Sequence, residues 1–267
     1  MPDREITKLT LYGDSISGNC LKTKWTADYL GVDYDWIEVS VVEGGTRSDA
    51  FMAMNPSGQV PVMRLADGRI LPQSNAIILY LTETYASEAL VPTDPFEKAK
   101  MMSWLFWEQY SHETAIAVRR FHKHYLGKSD VDIDPALIVR GNAVLGLMDR
   151  HLAGRDWIVG NALSVADISL VAYTRVAHEG GFELSLYPSV DKWVRRTETA
   201  HQDRREAEPP CPSSSPISST SSTSAASSTS APIPRASMRS PPGARSSPTS
   251  ATTAPRPPSM SAICCRS

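Results

Sequence analysis

The chain has 267 residues, with 27 Lys and Arg against 29 Asp and Glu, a formal net charge of −2. Within its first 200 residues the balance is 20 to 26, which excludes a general electrostatic attraction for nucleic acid or an anionic membrane. The N-terminus Met1-Pro2-Asp3-Arg4-Glu5 is charged and lacks the apolar core of a signal peptide, and no apolar run approaches the roughly 20 residues that span a bilayer, so cytoplasm is the expected compartment. Among the same 200 residues Cys20 is the only cysteine, which leaves no internal disulfide framework and no metal-ligand spacing.

Lys8-Leu9-Thr10-Leu11-Tyr12 alternates as a strand, Gly13 to Gly18 is a polar turn, and Leu21, Trp25 and Tyr29 recur every fourth residue as one face of a helix. Tyr34 to Val39 reads as a second strand, followed by an irregular stretch. Gly58-Gln59 marks a turn into Val60-Pro61. Val62, Met63 and Leu65 then form a short strand that turns at Ala66 to Arg69 and returns through Ile70-Leu71 as a β-hairpin. A cis bond at Pro61, an isomer that the sequence leaves open, would free the Val60 N–H and C=O to bond the backbone of a ligand. Ser74 opens a helix with Ala76, Ile77, Tyr80 and Leu81 on one face. The unpaired N–H groups of its first turn, with the Ser74 hydroxyl, form an anion site. Side by side, the two devices suit a small acidic peptide. The order is β-α-β and then β-β-α, which is thioredoxin-like. Where redox members of that fold carry Cys-x-x-Cys, this chain has Ser17-Gly18-Asn19-Cys20, with a hydroxyl in the first cysteine position. Cys20 reads as a small buried residue at the start of the helix.

Residues 1–85 thus form one domain, 86–94 a linker, and 95–200 an all-helical domain. Asp94-Pro95-Phe96-Glu97 supplies an N-cap, a proline at the first helical position and both ends of a capping box, and opens a long helix bearing Met101, Trp104, Leu105, Trp107 and Tyr110. Asp134-Pro135 opens a second helix, with Leu137, Val144, Leu145 and Met148 inward and Gly154 as its stop. Ser164 and Asp167 cap a third helix, apolar at Ile168, Leu170, Val171 and Tyr173, and Tyr187-Pro188 opens a fourth that carries Trp193.

Three motifs in order make the chain resemble the cytosolic glutathione S-transferases over about 190 residues. Asn55 to Val62 is similar to that family's cis-proline segment, Gln73-Ser74 to its pair that holds the γ-glutamyl group, and Gly160 to Asp167 to its helical capping motif. The Ser17-Gly18-Asn19-Cys20 turn resembles the serine-type subclasses, theta and zeta among them, and bacterial relatives with a Ser-Gly-Asn turn. The resemblance implies a thioredoxin-like domain joined to a helical bundle, and glutathione as co-substrate without a metal. It implies activation of the glutathione thiol for attack on a small hydrophobic electrophile, by a homodimer that binds neither nucleic acid nor membrane. Ser17 is then the thiol donor, with Asn19 as a second donor and Ser15 as the competitor. Gln59, Val60, Pro61, Gln73 and Ser74 bind glutathione, Trp107, Tyr110 and His112 face the second substrate, and Ser164 with Asp167 is a structural cap. A non-catalytic binding or assembly module, or a glutathione-dependent isomerase or reductase, is the alternative. The Ser-Ser-Cys turn expected of a zeta-type isomerase is absent.

From residue 201 the composition breaks: 19 Ser and 12 Pro in 67 residues, with seven Arg, no Lys and only scattered apolar side chains. Such a segment buries too little surface to offset its ordering entropy, and disorder is expected over 201–267. Ser, Pro, Ala and Arg are also what a shifted reading of a GC-rich gene yields, so the expected cause is a frameshift near codons 197 to 202.

Overall fold

The computed structural model describes residues 8–85 and 90–207. Strand β1 (Leu9–Gly13) lies inside a four-stranded sheet of order β2-β1-β3-β4. It pairs in parallel with β2 (Tyr34–Glu38) and antiparallel with β3 (Val62–Arg64), which pairs antiparallel with β4 (Ile70–Pro72). Leu9 and Leu11 of this strand, Met63 of β3 and Ile77 and Leu81 of helix α3 (Ser74–Tyr85) form the core beneath the sheet.

Two details depart from the sequence reading. The irregular stretch contains a helix, α2 (Asp49–Met54), started by the Ser48 hydroxyl accepting from Phe51 N at 3.3 Å. Phe51 is its one buried residue, too few for a periodic face to show. In α1 (Gly18–Tyr29) the fully buried set is Gly18, Cys20, Lys22, Thr23, Thr26 and Ala27, while Leu21, Trp25 and Tyr29 are half-buried. The helix is covered on several sides: it packs on α3, and Trp25 and Tyr29 meet the core of the helical half. A polar side chain on a covered face is retained where it finds a partner, as Lys22 does.

The helical half opens with α4 (Pro95–Trp107), whose first turn is held by Asp94 accepting from Phe96 N at 3.1 Å and Glu97 N at 2.9 Å. The Glu97 carboxylate accepts from Lys100 instead of completing a capping box. A wide turn at Glu108–His112 leads straight into α5 (Glu113–Arg120), and a second wide turn at Phe121–Tyr125 ends the run. Helix α6 (Pro135–Leu152) starts on Asp134, which accepts from Ala136 N at 2.9 Å, and it ends just before Gly154, whose φ of 74° favours a residue without Cβ. Helix α7 (Val165–Thr174) is buried along its whole length. Helix α8 (Pro188–Ala207) closes the domain with its Trp193 wholly buried.

Helix α8 runs seven residues past the boundary at 200. His201 is only 4% exposed and stacks on Trp25 with ring centroids 4.3 Å apart, and Arg204 Nε donates to Tyr29 O at 3.2 Å, so residues 201–204 belong to the folded body. The expectations for 208–267 lie outside the described residues. Among the described residues no helix is long and apolar enough to cross a membrane.

Candidate active site

A cleft of about 490 Å³ opens between the two halves, a size suited to a small ligand. One wall comes from the β1–α1 loop, the segment ending at Pro61, and the start of α3. The other comes from α5, its flanking turns and Tyr173 of α7.

The β1–α1 loop is fastened by Asp14, whose carboxylate accepts from Ile16 N at 3.0 Å and Val41 N at 2.7 Å while its carbonyl accepts from Ser17 N at 3.0 Å. Ser17 is therefore held in extended geometry (φ −82°, ψ 125°) just ahead of α1, half-buried and facing the cleft. Its hydroxyl stands close enough to the Cys20 thiol and the Tyr173 hydroxyl to favour their anions, against the burial that raises both. The tyrosine ring packs so closely on Gly18 that a Cβ there would stand 2.7 Å from it. Ser15 points away: it is exposed, and its N–H and hydroxyl donate to Glu38 Oε1 at 2.8 and 3.1 Å. Cys20 is wholly buried and burial pushes its thiol up to about 12, the state of an inert core cysteine.

Asn19 is held from three sides. Its amide nitrogen donates to Glu113 Oε1 at 2.8 Å, and its amide oxygen accepts from Lys22 Nζ at 2.8 Å and Ser74 Oγ at 3.1 Å. Ser74 is thus the first residue of α3 with its hydroxyl turned toward Asn19, and Gln73 occupies the position before the helix that a cap would take. Gln73 has φ of 77°, rare for a residue with a Cβ, and lies exposed on the cleft wall. The Val60–Pro61 peptide is cis, and Gln59, Val60 and Pro61 line the same wall. Asn55 Nδ2 anchors this segment by donating to Gln59 O at 2.7 Å.

The three residues expected at the second-substrate side are elsewhere. Tyr110 is 86% exposed, Trp107 packs against the helical core, and His112 is fully buried with Nε2 2.9 Å from Thr174 Oγ1. Burial holds the His112 imidazole down at about 4, opposed by the Glu108 charge. None of the three lines the cleft; Gln109, Glu113, Ala117 and Arg120 do. The wide turn at Glu108–His112 adds a residue to the helical repeat and rotates α5 relative to the continuation of an unbroken α-helix. Arg120 seals the far end, donating from Nη1 to Ile16 O at 2.9 Å and from Nε to Glu179.

Sequence reasoning passed over Tyr173, Glu113, Gln109 and Arg47. The first three come from helices far along the chain, and no local motif marks them. Arg47 places an exposed guanidinium on the cleft rim, and its preference for a carboxylate was the only available signal. Ser164 and Asp167 stand apart from the cleft as a cap: the buried Asp167 carboxylate accepts from Ser164 N at 2.9 Å, Ser164 Oγ at 2.8 Å, Ile158 N at 2.8 Å and Trp193 Nε1 at 2.9 Å. Among the described residues no three His, Cys, Asp or Glu side chains converge as a metal site.

Fold and cleft define a two-domain protein whose thioredoxin-like half offers a hydroxyl, an amide and a strained Gln-Ser pair to a peptide-sized ligand beneath a helical half. Residues 16–84 match the glutathione S-transferase N-terminal domain and residues 135–200 the glutathione S-transferase C-terminal domain. The chain belongs to the cytosolic glutathione S-transferase family. A glutathione S-transferase from Pseudomonas fluorescens Pf-5, known as a crystal structure, is 40% identical with a TM-score of 0.68, over 72% of this chain and 96% of that one. A possible glutathione S-transferase from Rhodopseudomonas palustris is 35% identical with a TM-score of 0.68, over 72% and 95% of the two chains. Glutathione S-transferase D6 of Drosophila melanogaster is 29% identical over 192 residues, 71% of this chain and 87% of its own.

Proposed function

We propose that this protein is a serine-type glutathione transferase of the cytoplasm, which binds glutathione in the cleft and presents its sulfur as a thiolate to a small hydrophobic electrophile. The observation that carries this reading is the placement of Ser17 and Asn19 on one cleft wall with cis-Pro61 and Gln73-Ser74. A thiol is mostly protonated at neutral pH, so the enzyme must favour its anion, and donors held in place before the substrate arrives do so without reorganisation. Ser17 is held by its backbone bond to Asp14, and Asn19 by Lys22, Ser74 and Glu113. The start of α3 supplies N–H groups for the γ-glutamyl carboxylate, and Arg47 on the rim suits the second carboxylate of the tripeptide. Catalysis is then positioning plus stabilisation of the sulfur anion.

Turnover of an aryl halide with glutathione, followed by absorbance of the conjugate, tests the reading. Retention on a glutathione resin without turnover of any member of an electrophile panel would leave the non-catalytic module as the better account.

The same reading includes a homodimer. Along α4 and the turn after it, Phe96, Phe106 and Tyr110 are 70%, 68% and 86% exposed, aromatic side chains of the kind that a second copy of the chain covers.

A further inference from the structure

Lys22 in α1 is wholly buried, and its ammonium lies 2.8 Å from Glu108 Oε1 and 3.9 Å from Glu113 Oε2. Glu108 is wholly buried as well, and its second oxygen accepts from Gln109 at 2.9 Å, Ser169 at 3.2 Å and Asn75 at 3.3 Å. One cation therefore serves two carboxylates. The nearer and fully satisfied partner is Glu108, so the surplus negative charge falls on Glu113. Glu113 is also the one that opens on the cleft, with its side chain 23% exposed. Its Oε1 accepts from Asn19 Nδ2 at 2.8 Å and its Oε2 from Gln109 Nε2 at 2.5 Å. Tyr173, whose hydroxyl accepts from Asn19 N at 3.3 Å, lies within range of the Glu113 charge. A surplus carboxylate thus stands beside the donors that are to hold a sulfur anion. Two anions side by side repel, unless one of them takes up a proton.

We propose that Glu113 accepts the thiol proton of glutathione, an assignment that rests on the thiolate-forming reading above. The S–H bond breaks with its electron pair left on sulfur, and an O–H bond forms on a Glu113 carboxylate oxygen. The negative charge moves from Glu113 to the sulfur, where the Ser17 hydroxyl and the Asn19 amide receive it, and the net charge of the site stays constant. After the thiolate has attacked the electrophile, the proton passes from Glu113 to the departing group or to solvent. The groups facing this carboxylate are Lys22 from α1, Glu108 from the wide turn and Tyr173 from α7, with His112 neutral behind Glu108. Burial holds the Glu113 carboxyl above its ordinary value and the Glu108 charge adds to this, while Lys22 opposes both. That direction brings it toward neutrality, where a proton acceptor works best.

The test tracks glutathione binding near neutral pH by thiolate absorbance and, in buffers of different ionisation enthalpy, by calorimetry, which counts protons released. The wild type is expected to form thiolate with much less than one proton released per thiolate. Glu113→Gln is expected to release close to one proton for each thiolate formed, and to lower kcat roughly tenfold or more with a smaller change in the KM for glutathione. One proton released per thiolate by the wild type overturns the assignment to Glu113 and leaves the thiolate reading standing. Glutathione bound by the wild type with no thiolate signal overturns both. The wild-type measurement decides the matter even if the variant folds poorly.

Discussion

Ser17 owes its place to the Asp14 carbonyl, which accepts from its N–H at 3.0 Å, and it stands near the Cys20 thiol and the Tyr173 hydroxyl. If its hydroxyl holds the sulfur anion, Ser17→Ala lowers kcat by roughly 10²-fold or more with little change in glutathione affinity, and the bound thiol titrates at higher pH. An unchanged rate and pH profile would move the role to Asn19, since Ser15 is engaged with Glu38. His112 gives a pH effect of definite sign. Its imidazole, ordinarily near 6.5, is held at about 4 in the fold. Between these values the unfolded chain takes up a proton that native His112 does not, so stability is full above pH 6.5 and is lost as the pH falls toward 4. Urea unfolding near neutrality and near pH 5 is expected to show a loss of about 2 kcal/mol from this group, missing in His112→Gln. A slope equal in both proteins would show that His112 protonates freely in the fold. Among single residues, Ser17, Gln73 and Ser74 were readable because a local motif marks each of them. Glu113 and Tyr173 were not, because their chemistry arises from neighbours more than 90 positions away.

At the scale of elements, helix starts were read well and helix faces poorly. Asp94-Pro95, Asp134-Pro135 and Ser164-x-x-Asp167 open helices where their spacing predicts, since a cap is a contact within four residues. Asp167 does more than the spacing implies. It joins α7 to the loop at Ile158 and to Trp193 of α8, and removing it leaves buried N–H donors unpaired. Asp167→Ala is therefore expected to cost about 3 kcal/mol or more, above the range for loss of an exposed cap, without altering the chemistry of the molecules that fold. Denaturant midpoints decide it; a loss below about 1 kcal/mol would count against the joining role. Helix faces failed where the repeat changed. The wide turn at Glu108–His112 has no residue signature, yet it separates the exposed Tyr110 and the core-facing His112 from Gln109 and Glu113 on the cleft.

For the whole molecule, the exposed Phe106 of α4 makes assembly testable. If the proposed homodimer uses this surface, Phe106→Asp is expected to weaken it at least tenfold by sedimentation velocity, because a charge in an apolar contact must be desolvated. A dimer of unchanged affinity would move the interface to another face. The division between what the residues alone determined and what the tertiary structure decided has one physical cause. Strand alternation, the Val60-Pro61 and Gln73-Ser74 segments and the helix caps are short-range, so the β-α-β, β-β-α order, the helical half and the family came from the chain itself. Partners across the domain boundary were decided only by folding. Lys22 looks like a surface residue of an amphipathic helix until α1 is covered by the helical half and its charge meets Glu108. His201 looks like the start of a tail until it stacks on Trp25. Burial and charge pairing depend on distance in space, and sequence patterns report it only within a few turns of chain.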